Sequence, residues 1–324
     1  MFLSLFGAVE SGLIYAIMAL GVYLSFRIID FPDLTVDGSF VTGGAVAAVS
    51  IINGVPPILA TVYGAFAGFI AGTITGVLHT KGKINPLLSG ILMMTALYSI
   101  NLRIMANPQV PLLNETTLKT ALTALWEKTG IDRVMNGMLE AFGLDRFPNT
   151  WAIVFIMIFV VLIIKLIIDY FLKTEVGLAL RATGDNKRMI RSFSANTDNL
   201  IIVGIGLSNG LVALSGALIA QHQGFADVGM GIGMIVIGLA SVIIGEALFG
   251  TKTIARATLA VILGAIIYRI VVTLALRTKF LETGDMKLIT AVLVIIALVT
   301  PKIIQAQREK QRRMKKRAAL EAGE

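Results

Sequence analysis

The chain is dominated by long apolar stretches, and the feature that most constrains its fold is the charged island that interrupts them, Lys173 to Asn199 (KTEVGLALRATGDNKRMIRSFSANTDN). It lies between the apolar segments 151–164 (WAIVFIMIFVVLII) and 200–220 (LIIVGIGLSNGLVALSGALIA). Both flanks are long and apolar enough to read as spans, so the island must meet water at one membrane face. Its five basic residues, Lys173, Arg181, Lys187, Arg188 and Arg191, place that face in the cytoplasm by the positive-inside tendency. Composition agrees. With 56% hydrophobic and 15% charged residues and a mean hydropathy of +0.83, the chain belongs to the polytopic membrane class. It contains no cysteine, which excludes disulfides, thiolate nucleophiles and Cys-ligated metals; the two histidines, His79 and His222, make a poor start for a metal site. Neither an enzyme nor a cofactor is expected. The net charge of +8 comes from predicted inside loops and the tail, so topology explains it without nucleic acid.

Within the island, Glu175, Gly177, Leu178, Leu180 and Arg181 fit a short amphipathic helix, and Gly184-Asp185-Asn186 supplies its stop, with Gly184 expected at positive φ. The pattern T-E-x-G-x-A-L-R-A-x-G-x-N over Thr174 to Asn186 resembles the permeases of bacterial ABC importers of the branched-chain amino acid and ribose type. The resemblance extends to S-G-A-L-x-A (Ser215 to Ala220) and to the Gly-rich segment ending Ile244-Gly245. It implies that Glu175, Gly177, Arg181, Ala182, Gly184 and Asn186 form the segment that docks on a cytoplasmic ABC ATPase. It further implies a multi-pass protein of the bacterial cell membrane, paired as a homodimer, served by an extracytoplasmic substrate-binding lipoprotein and moving an amino acid by alternating access. The phrase F-P-D-L-T-V-D-G-S-F (Phe31 to Phe40) resembles the single-permease importers of tryptophan and other aromatic amino acids. The competing reading is that the island is a basic loop that only fixes topology.

The rest of the chain reads as an all-α membrane domain over 1–305, with about nine crossings and a basic cytoplasmic tail over 306–324 that faces lipid. Residues 2–24 form a first span rather than a cleaved signal, since no basic residue precedes them. Residues 30–53 combine Asp30, Asp33, Asp37 and Pro32 with a short Gly- and Ala-rich run, the pattern of a broken span lining a path. Residues 222–250 are short and Gly-rich too. Phe225-Ala-Asp227-Val echoes Phe31-Pro-Asp33-Leu, and Gly44 and Gly238 fall at the same offset, which suggests an inverted repeat. Gly64, Gly68, Gly72 and Gly76 share one helix face and let a neighbouring helix approach closely, either within the protomer or at a subunit seam. The loop 106–149 is too polar to cross. Amphipathic helices over Leu118–Trp126 and Val134–Phe142 place it at the outer interface, where it either receives a binding protein or only caps the bundle. Further spans are expected at 84–105, 150–172, 255–276 and 288–304.

Counting back from a cytoplasmic island puts the N-terminus outside and the C-terminus inside. Candidate path residues are the polar groups at membrane depth: Glu10, Asp33, Asp37, Ser208, Asn209 and Asp227. Glu10 also fits a solvated position near the outer interface, and Lys165 and Asp169 read as a structural pair. Gly245 and Gly250 have the spacing of a P-loop, but Thr251 precedes Lys252 where the motif needs Gly-Lys-Thr, so the chain carries no nucleotide site. Two further readings are a secondary transporter coupling a small polar solute to protons through Glu10, Asp33 or Asp37, and a scaffold without a path. The first leaves the island unexplained, and the second fits poorly with broken segments.

Overall fold

The computed structural model describes residues 2–141, 147–192 and 196–276, together with positions 288, 291, 292, 295 and 299. In chain order its elements are α1 (Phe2–Tyr23), continued by a π-helical turn (Leu24–Ile28), α2 (Thr35–Ile52), α3 (Pro57–Thr80), α4 (Pro86–Met105), β1 (Gln109–Pro111), α5 (Leu118–Glu127), α6 (Ile131–Ala141), α7 (Ala152–Phe171), α8 (Glu175–Asp185), α9 (Lys187–Ser192), α10 (Thr197–Gln223), β2 (Phe225–Asp227), a 3₁₀ turn (Val228–Gly231), α11 (Met234–Phe249) and α12 (Ile254–Ala275). Eight of these helical segments are long and apolar enough to cross a membrane. They match the first eight expected crossings. The ninth, 288–304, lies almost wholly outside the described residues, and the basic tail entirely so. The broken span expected over 30–53 has its break at its start, Asp30 (φ 55) to Leu34, after which α2 runs unbroken.

Two halves, α1–α3 and α10–α12, are exchanged against each other. α1 packs on α11 and α12, whereas α10 packs on α2 and α3. Second and third helices also pair within each half, and α1 meets α10 at the centre. Five crossing helices precede α10, so α1 and α10 run in opposite directions. The echo at Asp33 and Asp227 is structural as well. Asp33 Oδ1 accepts from Thr35 N (2.9 Å) and Asp227 Oδ1 from Gly229 N (2.6 Å), the same turn two residues ahead, the first introducing α2 and the second the 3₁₀ turn. Such a pattern fits the expected inverted repeat.

Two faces follow from the contacts. On one, the end of α1 at Ile28 lies against Gly184 of α8. On the other, β1 pairs antiparallel with β2, Gln109 opposite Asp227, and Leu118 N donates to Gln221 Oε1 (2.9 Å), which seats α5 over the end of α10.

Close approach of small residues sets the core. A Cβ on Gly64, Gly68, Gly72 or Gly76 would fall 2.1–2.8 Å from atoms of α10 or, for Gly64, of α2. The glycine face of α3 is therefore spent inside the protomer rather than at a subunit seam. The S-G-A-L-x-A segment has the same role. Ser215 Oγ donates to Ile14 O (2.8 Å), Gly216 abuts the Phe40 carbonyl, and Ala217 packs against Gly64. Gly245 and Gly264 repeat the device between α11 and α12, each facing a carbonyl of the other helix.

Replacing Gly68 by Leu forces its side chain into Ala213 and the Asn209 carbonyl, and is expected to cost about 1–3 kcal/mol or more through overpacking. Gly137→Leu, where the added Cβ meets nothing within 4 Å, is the control. Thermal unfolding in detergent should separate the two. Unchanged unfolding of Gly68→Leu with loss of self-association would move the glycine face to a subunit contact.

Candidate functional site

The island folds as expected for most of its length and differs at its end. Thr174 caps α8, its hydroxyl accepting from Gly177 N (3.3 Å), and Glu175 occupies the first turn, where the helix dipole favours a carboxylate. Gly184 does not adopt positive φ. It lies inside α8, which ends at Asn186 in an extended conformation (φ −157). Proximity explains the glycine instead: a Cβ there would stand 2.1 Å from the Ile28 carbonyl, and one on Gly177 would stand 2.1 Å from that of Phe171. Asn186 Oδ1 then accepts from Arg188 N and Met189 N (both 3.1 Å) and starts α9. The island is thus clamped to the end of α1 through Gly184 and to the end of α7 through Gly177. Its outer surface leaves Val176 (49%), Leu178 (51%) and Met189 (47%) exposed among Lys187, Arg188 and Arg191. Ala182 is half-buried.

Beside it lies a cleft of about 810 Å³ between the end of α1, α8 and the α11–α12 turn, with Arg27, Lys173, Arg181 and Lys252 on its walls. Arg27 pairs there with Glu246. Sequence reasoning placed Arg181 in this region but missed Glu246, whose partner lies 219 positions away.

The expected path residues separate into three groups. Asp33 is fully buried, and Asn209 Nδ2 donates to its Oδ2. Its Oδ1 accepts from Thr35 N (2.9 Å). Thr35 in turn shares a 2.8 Å hydrogen bond with Thr75, so Asp33 ties α2, α3 and α10 together. Asp37, one turn on, reaches the second half: its Oδ2 accepts from Gly233 N (2.9 Å) and its Oδ1 from Ile235 N (2.8 Å). Gly233 takes positive φ (86) to begin α11 at that point, a backbone state open to glycine. The first turns of α2 and α11 therefore meet inside the bundle, although the chain arrives from opposite faces.

Ser208 belongs to the second group, its hydroxyl donating to Gly21 O (2.7 Å) across the α1–α10 contact. Asp227 caps the 3₁₀ turn at the β2 face. Glu10 is half-buried on α1 beside Ser11, whose hydroxyl accepts from Arg269 Nε (3.2 Å). Arg269 also stacks 4.8 Å over Tyr15. An arginine inside a span was a signal of its own, which the sequence reading passed over. Lys165 pairs with Asp169 as expected, and Thr258 Oγ1 donates to Asp169 Oδ1 (2.7 Å), joining α7 to α12. Among the described residues no group of His, Cys, Asp or Glu is arranged to hold a metal ion.

With the clamped island and the inverted helix starts in place, known proteins can be compared. The family of permease components of branched-chain amino acid transport systems matches residues 4–299. This chain belongs to that family. A tyrosine transport system permease protein of Clostridioides difficile (strain R20291) is 43% identical over 288 residues, covering 89% of this chain and 88% of that protein. An uncharacterized protein of Rickettsia prowazekii (strain Madrid E) is 33% identical over 301 residues, covering 91% and 96%. No solved structure matches the chain. The chain is accordingly a multi-pass membrane permease subunit of an ABC-type amino acid importer, and transports rather than catalyses. Its family works with an ATPase and a substrate-binding protein.

The Ile28 contact decides the sign of a small substitution. In an open helix interior Gly→Ala adds about 0.5–1 kcal/mol of stability, but at Gly184 the added Cβ meets a backbone carbonyl. Gly184→Ala should therefore loosen α8, read as faster tryptic cleavage at Lys187, Arg188 and Arg191 in the purified protein. Cleavage at the wild-type rate would show that the island is not held by α1.

Proposed function

We propose that this chain is the membrane subunit of an ATP-driven importer of aromatic amino acids, acting as a homodimer. A cytoplasmic ATPase docks on α8 and α9 of each copy. The observation that carries this reading is the island: a short helix held against two spans by glycine contacts, presenting exposed Val176, Leu178 and Met189 with basic neighbours. An isolated topology loop has no need of such seating, whereas a coupling surface must transmit displacement to the spans. In this reading Glu175 and Arg181 help hold the coupling helix, with Gly177, Ala182, Gly184 and Asn186 shaping it.

Orientation follows from charge. The island, Arg27, the Lys81–Lys83 turn and the Lys252–Arg256 turn share the face we assign to the cytoplasm. The β1–β2 ribbon, α5 and α6 then lie outside and receive a substrate-binding lipoprotein. The name of the Clostridioides difficile relative, together with the Phe31 to Phe40 phrase, supports an aromatic amino acid as the solute. A proton-coupled mechanism would need carboxylates free to exchange protons with a path, yet Asp33 and Asp37 are held by Asn209, Thr35, Gly233 and Ile235.

Arg181→Glu, made beside the wild type, should lose both ATPase copurification and ATP-dependent uptake at normal expression. Uptake that persists without an ATPase and collapses with the proton gradient would sink the proposal. For topology, single cysteines at Lys128 and Ser192 should be labelled by an impermeant reagent from outside and only after opening the cells, respectively. The reverse result would invert the assignment.

A further inference from the structure

A second cavity, of about 380 Å³, lies between α2, α4 and the turn leading into α11. Its volume falls in the lower part of the range of about 300–1,000 Å³ typical of small-molecule sites. Val41, Met94, Tyr98 and Ile232 give it apolar walls, and acceptor groups gather at Asp37 and Asn101. No Lys, Arg or His is among the described residues lining it.

Asn101 supplies the observation that points to a ligand. The residue is only 1% exposed, and its Nδ2 donates to the Gly38 carbonyl (3.2 Å). A carbonyl can only accept, so the amide orientation is fixed and Oδ1 is the atom left over. Oδ1 is buried and has no partner. A buried acceptor without a donor is costly, on the order of 1–3 kcal/mol. Asp37 lines the same cavity and adds acceptor capacity. Each of its oxygens accepts one backbone N–H from the start of α11, while an ionised carboxylate offers about four acceptor positions.

We propose that this cavity is a solute site whose Asn101 Oδ1 and Asp37 carboxylate receive the ammonium group of an amino acid, with its apolar side chain against Val41, Met94, Tyr98 and Ile232. The proposal rests on the importer reading and names where the solute sits. An ammonium group carries three donors, enough for Asn101 and Asp37 together. Because Asp37 also holds the first turn of α11, a bound ammonium acts on the junction between the two halves. Occupancy thereby bears on the contact that alternating access has to alter.

The cysteine-free chain makes the test direct. Ser99 lines the same cavity and is exposed, so Ser99→Cys in the full-length protein reports its state through alkylation by a water-soluble maleimide. L-tyrosine and tyramine, which both carry the amine, should slow alkylation; 4-hydroxyphenylpropionate, which lacks it, should not. Adding Asn101→Leu should raise the half-protecting tyramine concentration, measured against that variant's own unprotected rate, by about tenfold or more, the effect of losing a hydrogen bond to a charged group. A cysteine that does not react shows a cavity facing lipid and overturns the site. So do protection by the acid alone, equal protection by all three compounds and protection that survives Asn101→Leu. Protection together with ATPase-free, proton-driven uptake would keep the site and remove the importer reading. ATP-driven uptake without protection would do the opposite.

Discussion

A helix that begins within a membrane leaves its first N–H groups without water, and each unpaired group costs several kcal/mol in hydrocarbon. This protein begins two helices in its interior, and Asp37 is the side chain that makes their junction tenable. Placed on the first turn of α2, it accepts from Gly233 and Ile235 at the start of α11. The same bonds fix how far the two halves can slide past one another. Asp33 anchors the other side of the junction through Asn209 and, by way of Thr35, Thr75, so two carboxylates four residues apart hold four helices, α2, α3, α10 and α11.

Around that junction the bundle is built by contact of backbones rather than by bulk. Gly43 and Gly216 let α2 and α10 cross with carbonyls where side chains would otherwise stand, and Gly64 to Gly76 do the same for α3 and α10. Apolar burial cannot drive this association in lipid, because lipid tails are as apolar as leucine; tight packing and hydrogen bonds such as Ser208 to Gly21 carry it. The central helices are correspondingly well covered, while α3, α4 and α7 present rows of large side chains outward, Phe66, Leu92 and Phe159 among them. The exposed surface of the island is different in kind, since Val176 and Leu178 lie on a segment flanked by charge.

Much of this was legible in the sequence wherever a local rule fixes the outcome. Spacing alone put the glycines of α3 on one face, and segment length with apolarity pointed to about nine crossings, eight of which fall among the described residues. The position of the short helix α8 also followed from its own residues. What could not be read was the reason for a residue when two reasons predict the same letter. Gly184 looked like a helix stop requiring positive φ, yet it is glycine because Ile28 lies against it. Asp33 and Asp37 looked alike as path candidates, and only contacts 176 and 196 positions away distinguish an anchor from a group beside a cavity. Arg269 was passed over because its partners, Ser11 and Tyr15, lie at the other end of the chain.

The exchange of halves has a consequence for synthesis. α3 is complete at Thr80, but the helix that covers its glycine face does not begin until Thr197, and α1 must wait until Ile254 for α12. At the usual elongation rate of about 5–20 residues per second, the glycine face of α3 stands uncovered for roughly 6–23 s. Insertion into the membrane and assembly of the bundle are thus separate events in time. During that interval the nascent first half must be sheltered by lipid or by the insertion machinery, and a ribosome stalled anywhere between α4 and α10 leaves behind a set of helices without the partner that covers the glycine face of α3.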